Sequence, residues 1–142
     1  MGKCYNSVVI NAPVDEVWQT IRNFHDLSWA SEVITKLVPQ GKLAGDQIGA
    51  KRVLNDLFYE TLLTLDDNER TFSYSIDDGP APISKDLVRN YVGKVHIAPI
   101  TENDTTFVEW QSTFESANDG PIVRFCDPIY QALLSALKQH FA

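Results

Sequence analysis

The sequence predicts an α+β fold: a curved antiparallel sheet of about seven strands around one long C-terminal helix, with two short helices after the first strand. Three observations carry this. From Thr35 to Thr113 apolar residues recur with a period of two, broken by Gly, Asn and Asp clusters that mark turns. After Asn118-Asp119-Gly120-Pro121 the period changes, and apolar residues return at helical steps along one wide face. A meander that long must cover its apolar side, and only the last segment is long and apolar enough to do so.

Tyr5–Ile10, rich in Val and Ile, reads as the opening strand. Pro13 suits a first helical position, and Asp15 and Glu16 complement the dipole of a helix that fades near Phe24–Asp26. A second helical piece is expected around Leu27–Ile34. Strands follow at Lys36–Pro39, Ala50–Leu54, Leu57–Leu65, Thr71–Ile76, Val88–Ile97 and Thr105–Phe114. Alternation turns Tyr74, Ile76, Trp110 and Phe114 inward, and Ser73, Ser75, Glu109 and Gln111 outward. The prolines of Asp78-Gly79-Pro80-Ala81-Pro82 forbid a central strand, so that stretch is a loop. The final helix runs from about Pro121 to Phe141, and Pro128 either bends it or restarts it behind Asp127. One bent helix is the expectation.

The 142 residues fit one domain, 1–142, with an ordinary 44% apolar and 22% charged composition. No run of residues approaches the length of a membrane helix, and no secretory leader is evident, so a cytoplasmic protein without membrane insertion is expected. A net charge of −7 with no basic cluster disfavours nucleic acid as a partner. Cys4 and Cys126 form no CxxC and read as small buried residues rather than a disulfide. His25, His96 and His140 lack metal-ligand spacing, so no metal and no cofactor is expected. Asp66-Asp67 and Asp77-Asp78 read as solvated corners. No serine or cysteine sits in a nucleophile elbow, which leaves covalent hydrolysis unsupported.

The segments APVDEVW, Gly49-Ala50-Lys51-Arg52, Glu60 to Asp67, Tyr74-Ser75-Ile76 with Gly79-Pro80-Ala81-Pro82, Val108-Glu109-Trp110 and Leu134–Phe141 follow one another in a telling order. Together they resemble the polyketide cyclase/dehydrase branch of the START-like (SRPBCC) superfamily, nearly end to end. The resemblance implies a helix-grip fold with a cavity between the long helix and the sheet. It implies no particular reaction, because the superfamily mixes carriers, receptors and enzymes.

A hairpin turning at Asn55-Asp56-Leu57 sets Arg52 opposite Glu60, with Ala50 and Leu54 on the face of Arg52, and Leu62 and Thr64 on that of Glu60. A charged pair on an apolar concave face must satisfy itself. It either serves structure or surface alone, or positions a polar ligand head, or makes Glu60 a proton acceptor beside a fixed cation. In the lachrymatory factor synthases, plant relatives of this branch, an arginine and a glutamate at matching strand positions are implicated in catalysis. The resemblance thus implies the catalytic role for Arg52 and Glu60. The expected pocket wall is Trp29, Leu54, Leu62, Tyr74, Ile76, Tyr91, Trp110, Phe114, Phe125, Ile129 and Leu133, with tyrosine hydroxyls to orient a ligand.

Two functions fit. The first is binding of a small hydrophobic or aromatic molecule. The alternative is a cofactor-independent cyclase, dehydratase or isomerase acting on a small polyketide-like metabolite in the same cavity. Nothing in the sequence points to a protein partner.

Overall fold

A computed structural model describes residues 1–142. One sheet holds all seven strands, antiparallel throughout, in the order β1-β7-β6-β5-β4-β3-β2. The strands are β1 (Gly2–Ile10), β2 (Leu37–Gln40), β3 (Lys51–Leu54), β4 (Phe58–Asp66), β5 (Thr71–Asp78), β6 (Val88–Ile100) and β7 (Thr105–Ser116). Each of β2 to β6 pairs with the next in sequence, and β7 pairs with β1. Helix α1 (Val14–Ile21) follows β1, and α2 (Asp119–His140) contacts β1 and β7 across the concave face.

The expected elements are present, with shifted limits. Strand β1 begins at Gly2, not Tyr5, because Gly2 pairs with Phe114, and a Cβ at position 2 would come within 2.1 Å of the Phe114 ring. Pro13 caps α1 instead of opening it, and α1 stops at Ile21. The second short helix is a single 3-10 turn, Ser28–Ala30. Helix α2 runs unbroken through Pro128, as one element. Proline cannot donate to the carbonyl four residues back, so Arg124 loses its helical partner on the exposed side of α2.

Two bulges decide which side chains face inward. In β4 the register shifts between Leu62 and Thr64, so Leu65 pairs with inward Phe72 while Thr64 pairs with outward Ser73. Thr64 is therefore exposed, contrary to strict alternation from Glu60. In β6 the shift lies between Arg89 and Val92, where Asn90 takes a φ of +53°. That extra residue puts both Val88 and Tyr91 on the buried face, three positions apart.

Side-chain ties fasten the ends. Asp67 is no mere solvated corner: it accepts from Trp18 Nε1 at 2.8 Å and from Arg22 Nε at 2.8 Å, holding α1 to the β4–β5 turn. Asn55 and Asp56 both have positive φ, as a tight hairpin turn requires. The Asn55 amide also accepts from Thr35 N and Lys36 N and donates to the Val33 carbonyl, which ties the 3-10 segment to β2 and β3. No helix is long and apolar enough to cross a membrane.

Candidate functional site

Between α2 and the concave sheet lies a cavity of about 40 Å³, walled by fifteen residues of which thirteen are hydrophobic. As it stands it has room for about three waters, at roughly 10–15 Å³ each. Nine of the thirteen residues expected at the site lie in its wall: Arg52, Leu54, Glu60, Tyr74, Ile76, Tyr91, Trp110, Ile129 and Leu133.

Four do not. Trp29 borders a separate small space with Ile21, Phe72 and Leu137. Leu62 is fully buried two residues along β4 from Glu60. Phe114 is spent on packing, stacked on the Tyr91 ring at 5.5 Å. Phe125 is half-buried, with its ring 6.4 Å from that of Phe58. Alternation and helical spacing report which face a residue takes, not how far along the element the cavity extends.

Six further residues complete the wall: Leu27, Ile34, Phe58, Ile83, Cys126 and Tyr130. Cys126 and Tyr130 sit one helical turn apart on the face carrying Leu133, so the periodicity of α2 already contained them. Leu27 and Ile34 flank the 3-10 turn and Ile83 lies in the β5–β6 loop, where no period exists to be read. That loop is organised by Asp78, whose carboxylate accepts from Gly79 N at 2.9 Å and Lys85 N at 3.1 Å. These bonds hold the carboxyl below the usual range, the Lys85 amide contributing most.

The polar atoms of the cavity come from two groups. The hairpin register puts Arg52 directly across from Glu60, as expected. Both are about 5% exposed or less, and Arg52 Nε donates to Glu60 Oε1 at 2.8 Å, with Nη2 2.7 Å from the same oxygen. Arg52 Nη1 donates to the Phe24 carbonyl at 2.9 Å, and the guanidinium lies 3.7 Å above the Phe24 ring. Burial pushes the Glu60 carboxyl up, and the adjacent Arg52 charge pulls it back down in part. No protein group donates to Oε2. Trp29 Nε1 is the only fully enclosed side-chain nitrogen or oxygen without a partner, so Oε2 meets open space.

The second group is aromatic. Trp110 Nε1 donates to the Tyr74 hydroxyl at 2.9 Å, and no protein acceptor takes the Tyr74 proton. Tyr91 donates to Ser112 Oγ at 3.2 Å, which leaves Tyr130 to donate to Tyr91 in the contact between their hydroxyls. Burial lifts all three phenols far above the usual tyrosine range, so they are neutral. Burial also pushes the Cys126 thiol up, which makes it a poor nucleophile. Gly93, paired with Tyr74, fixes where the phenol lies: a Cβ there would come within 2.5 Å of the Tyr74 oxygen. Gly93→Ala is expected to cost about 1–3 kcal/mol through overpacking, seen as a lower melting temperature. No cluster of three or more His, Cys, Asp or Glu side chains is placed to hold a metal ion.

A curved antiparallel sheet gripping a C-terminal helix across an apolar cavity defines a START-like, SRPBCC-type protein. The chain belongs to the family described as polyketide cyclase / dehydrase and lipid transport, whose model matches residues 1–142. It is similar to a solved protein of Nitrosospira multiformis at 44% identity and a TM-score of 0.96, covering 99% of this chain and 96% of that one. XoxI of Bacillus cereus is 28% identical with a TM-score of 0.80, over 99% and 96% of the two chains. A Bacillus thuringiensis protein is 26% identical with a TM-score of 0.78, over 99% and 98%. A comparison with curated proteins returns no match.

Proposed function

We propose that this protein binds a small, largely apolar molecule in the cavity between α2 and the sheet, in the cytoplasm. The observation that carries the reading is a thirteen-residue hydrophobic wall that nevertheless presents a Glu60 oxygen without a donor and a Tyr74 proton without an acceptor. An apolar core would have no use for them, whereas a ligand pocket uses a few fixed polar groups to orient its guest. The family description, which includes lipid transport, supports the same reading. Two unpaired, buried cysteines suit a reducing compartment.

The test is titration with the neutral fluorescent probe N-phenyl-1-naphthylamine. Binding at one to one is expected, weakened at least about tenfold by Ile129→Trp, which fills the cavity from α2. Equal affinity in both proteins would place the probe elsewhere and remove the reading. Mass spectrometry of solvent extracts of the native protein would then identify the guest.

One observation favours a second reading, cofactor-independent cyclisation, dehydration or isomerisation. The free Oε2 of Glu60 stands beside a rigidly held cation, the arrangement a general base needs. Arg52 then orients Glu60. Its Nε and Nη1 bond protein acceptors, and the remaining guanidinium N–H groups and its charge can steady developing negative charge on the substrate. Under this reading Glu60→Gln abolishes turnover while probe affinity persists; under the binding reading no turnover exists to lose.

A further inference from the structure

We infer that the cavity selects a neutral, hydroxyl-bearing guest, such as a phenol or an alcohol, and rejects carboxylates. This rests on the binding reading and specifies its ligand chemistry.

On the cation side the charge is already matched, although not every N–H of the guanidinium has an acceptor. Arg52 Nε donates to Glu60 Oε1 and Nη1 to the Phe24 carbonyl, Nη2 lies 2.7 Å from Oε1, and one face is covered by the Phe24 ring at 3.7 Å. Its charge is matched by Glu60, so the pair is neutral as a unit. No other basic side chain lines the cavity. An incoming carboxylate or phosphate would bring a net negative charge into an apolar wall, close to the Glu60 carboxylate, with no counter-ion to meet it.

Outside the guanidinium, two polar functions are unused. Glu60 Oε2 is an acceptor without a donor. The Tyr74 hydroxyl accepts from Trp110 and has a proton to give. The two come from adjacent strands, Glu60 opposite Ile76 and Tyr74 opposite Leu62, and Arg52 links them, its Cζ lying 5.5 Å from the Tyr74 ring centroid. A hydroxyl both donates and accepts, so its chemistry matches an open acceptor and an open donor alike. A ketone or ether can only accept and would leave Oε2 bare. A plain hydrocarbon would leave both unmet.

Phenol, toluene and benzoate separate these cases at nearly constant shape, measured by amide chemical-shift titration at pH 7.5. Phenol is expected to bind about tenfold or more tighter than toluene, and benzoate about a hundredfold or more weaker than phenol. Shifts should fall on residues of the cavity wall. Toluene binding as tightly as phenol would overturn the hydroxyl preference while leaving the cavity a binding site. Benzoate binding as tightly as phenol would overturn the rejection of anions. Failure of all three to shift the cavity residues would overturn the binding reading itself.

The wild-type series needs no variant, but two sharpen it. Tyr74→Phe should narrow the phenol-to-toluene ratio without admitting benzoate. The neutral double variant Arg52→Gln/Glu60→Gln, which leaves no lone buried charge, should narrow the ratio and raise benzoate affinity about tenfold or more. Unchanged selectivity in both would overturn the assignment of Glu60 and Tyr74 as the selecting groups.

Discussion

Arg52→Met should lower the stability of the protein by about 3–5 kcal/mol at neutral pH, the usual cost of orphaning one member of a buried ion pair. The methionine fills much of the space but leaves the Glu60 carboxylate, about 5% exposed, without its only hydrogen-bond donors. The loss should depend on pH with a definite sign. Burial already raises the Glu60 carboxyl above the ordinary 4.5, and Arg52 is what restrains it. In the variant the carboxyl rises further. As pH climbs past about 4.5 the unfolded chain releases this proton while the folded chain keeps it, so stability falls with increasing pH. Urea unfolding of both proteins at pH 4 and pH 8 checks this: the gap should be small in acid and wide in base. A gap of equal size at both pH values would mean that Glu60 is not the group left exposed to the loss.

A comparable loss with a different signature is expected of Phe114→Ala. The ring is wholly enclosed, lies nearly parallel to Tyr91 at an interplanar angle of 8°, and fills the space above the Cα of Gly2. Removing it should cost about 3–5 kcal/mol, from lost burial plus the void left behind. Because Phe114 does not border the cavity, probe affinity of the folded variant should stay within about twofold of wild type. A loss of affinity without a loss of stability would restore the residue to the pocket wall.

These two residues show what sequence can and cannot tell. The Arg52–Glu60 pairing was legible because one short turn, Asn55-Asp56-Leu57, sets the register of the whole hairpin. Burial of Phe114 was legible from alternation, but its exclusion from the cavity was not, since that depends on the Tyr91 ring lying against it. Tyr91 reaches the concave face only because Asn90 takes an extra place in β6. The reverse happened at Thr64, where a bulge moved an expected inward residue out. Bulges arise from the fit of neighbouring strands, so a strand considered alone does not declare them. The order of the elements, the meander and the covering helix needed only periodicity and turn chemistry. The contribution of Leu27, Ile34 and Ile83 required the folded loops.

The missing hydrogen bond at Pro128 gives α2 a mechanical seam. The Arg124 carbonyl lacks its ladder donor on the outer side, so bending α2 there costs one hydrogen bond fewer than elsewhere along the helix. Directly beneath it are Cys126, Ile129 and Tyr130, three of the residues that roof the cavity. A cavity of about 40 Å³ must widen to admit an aromatic guest. The seam lies over that wall, and beyond it Leu133, Leu134 and Leu137 anchor α2 by burial against the core.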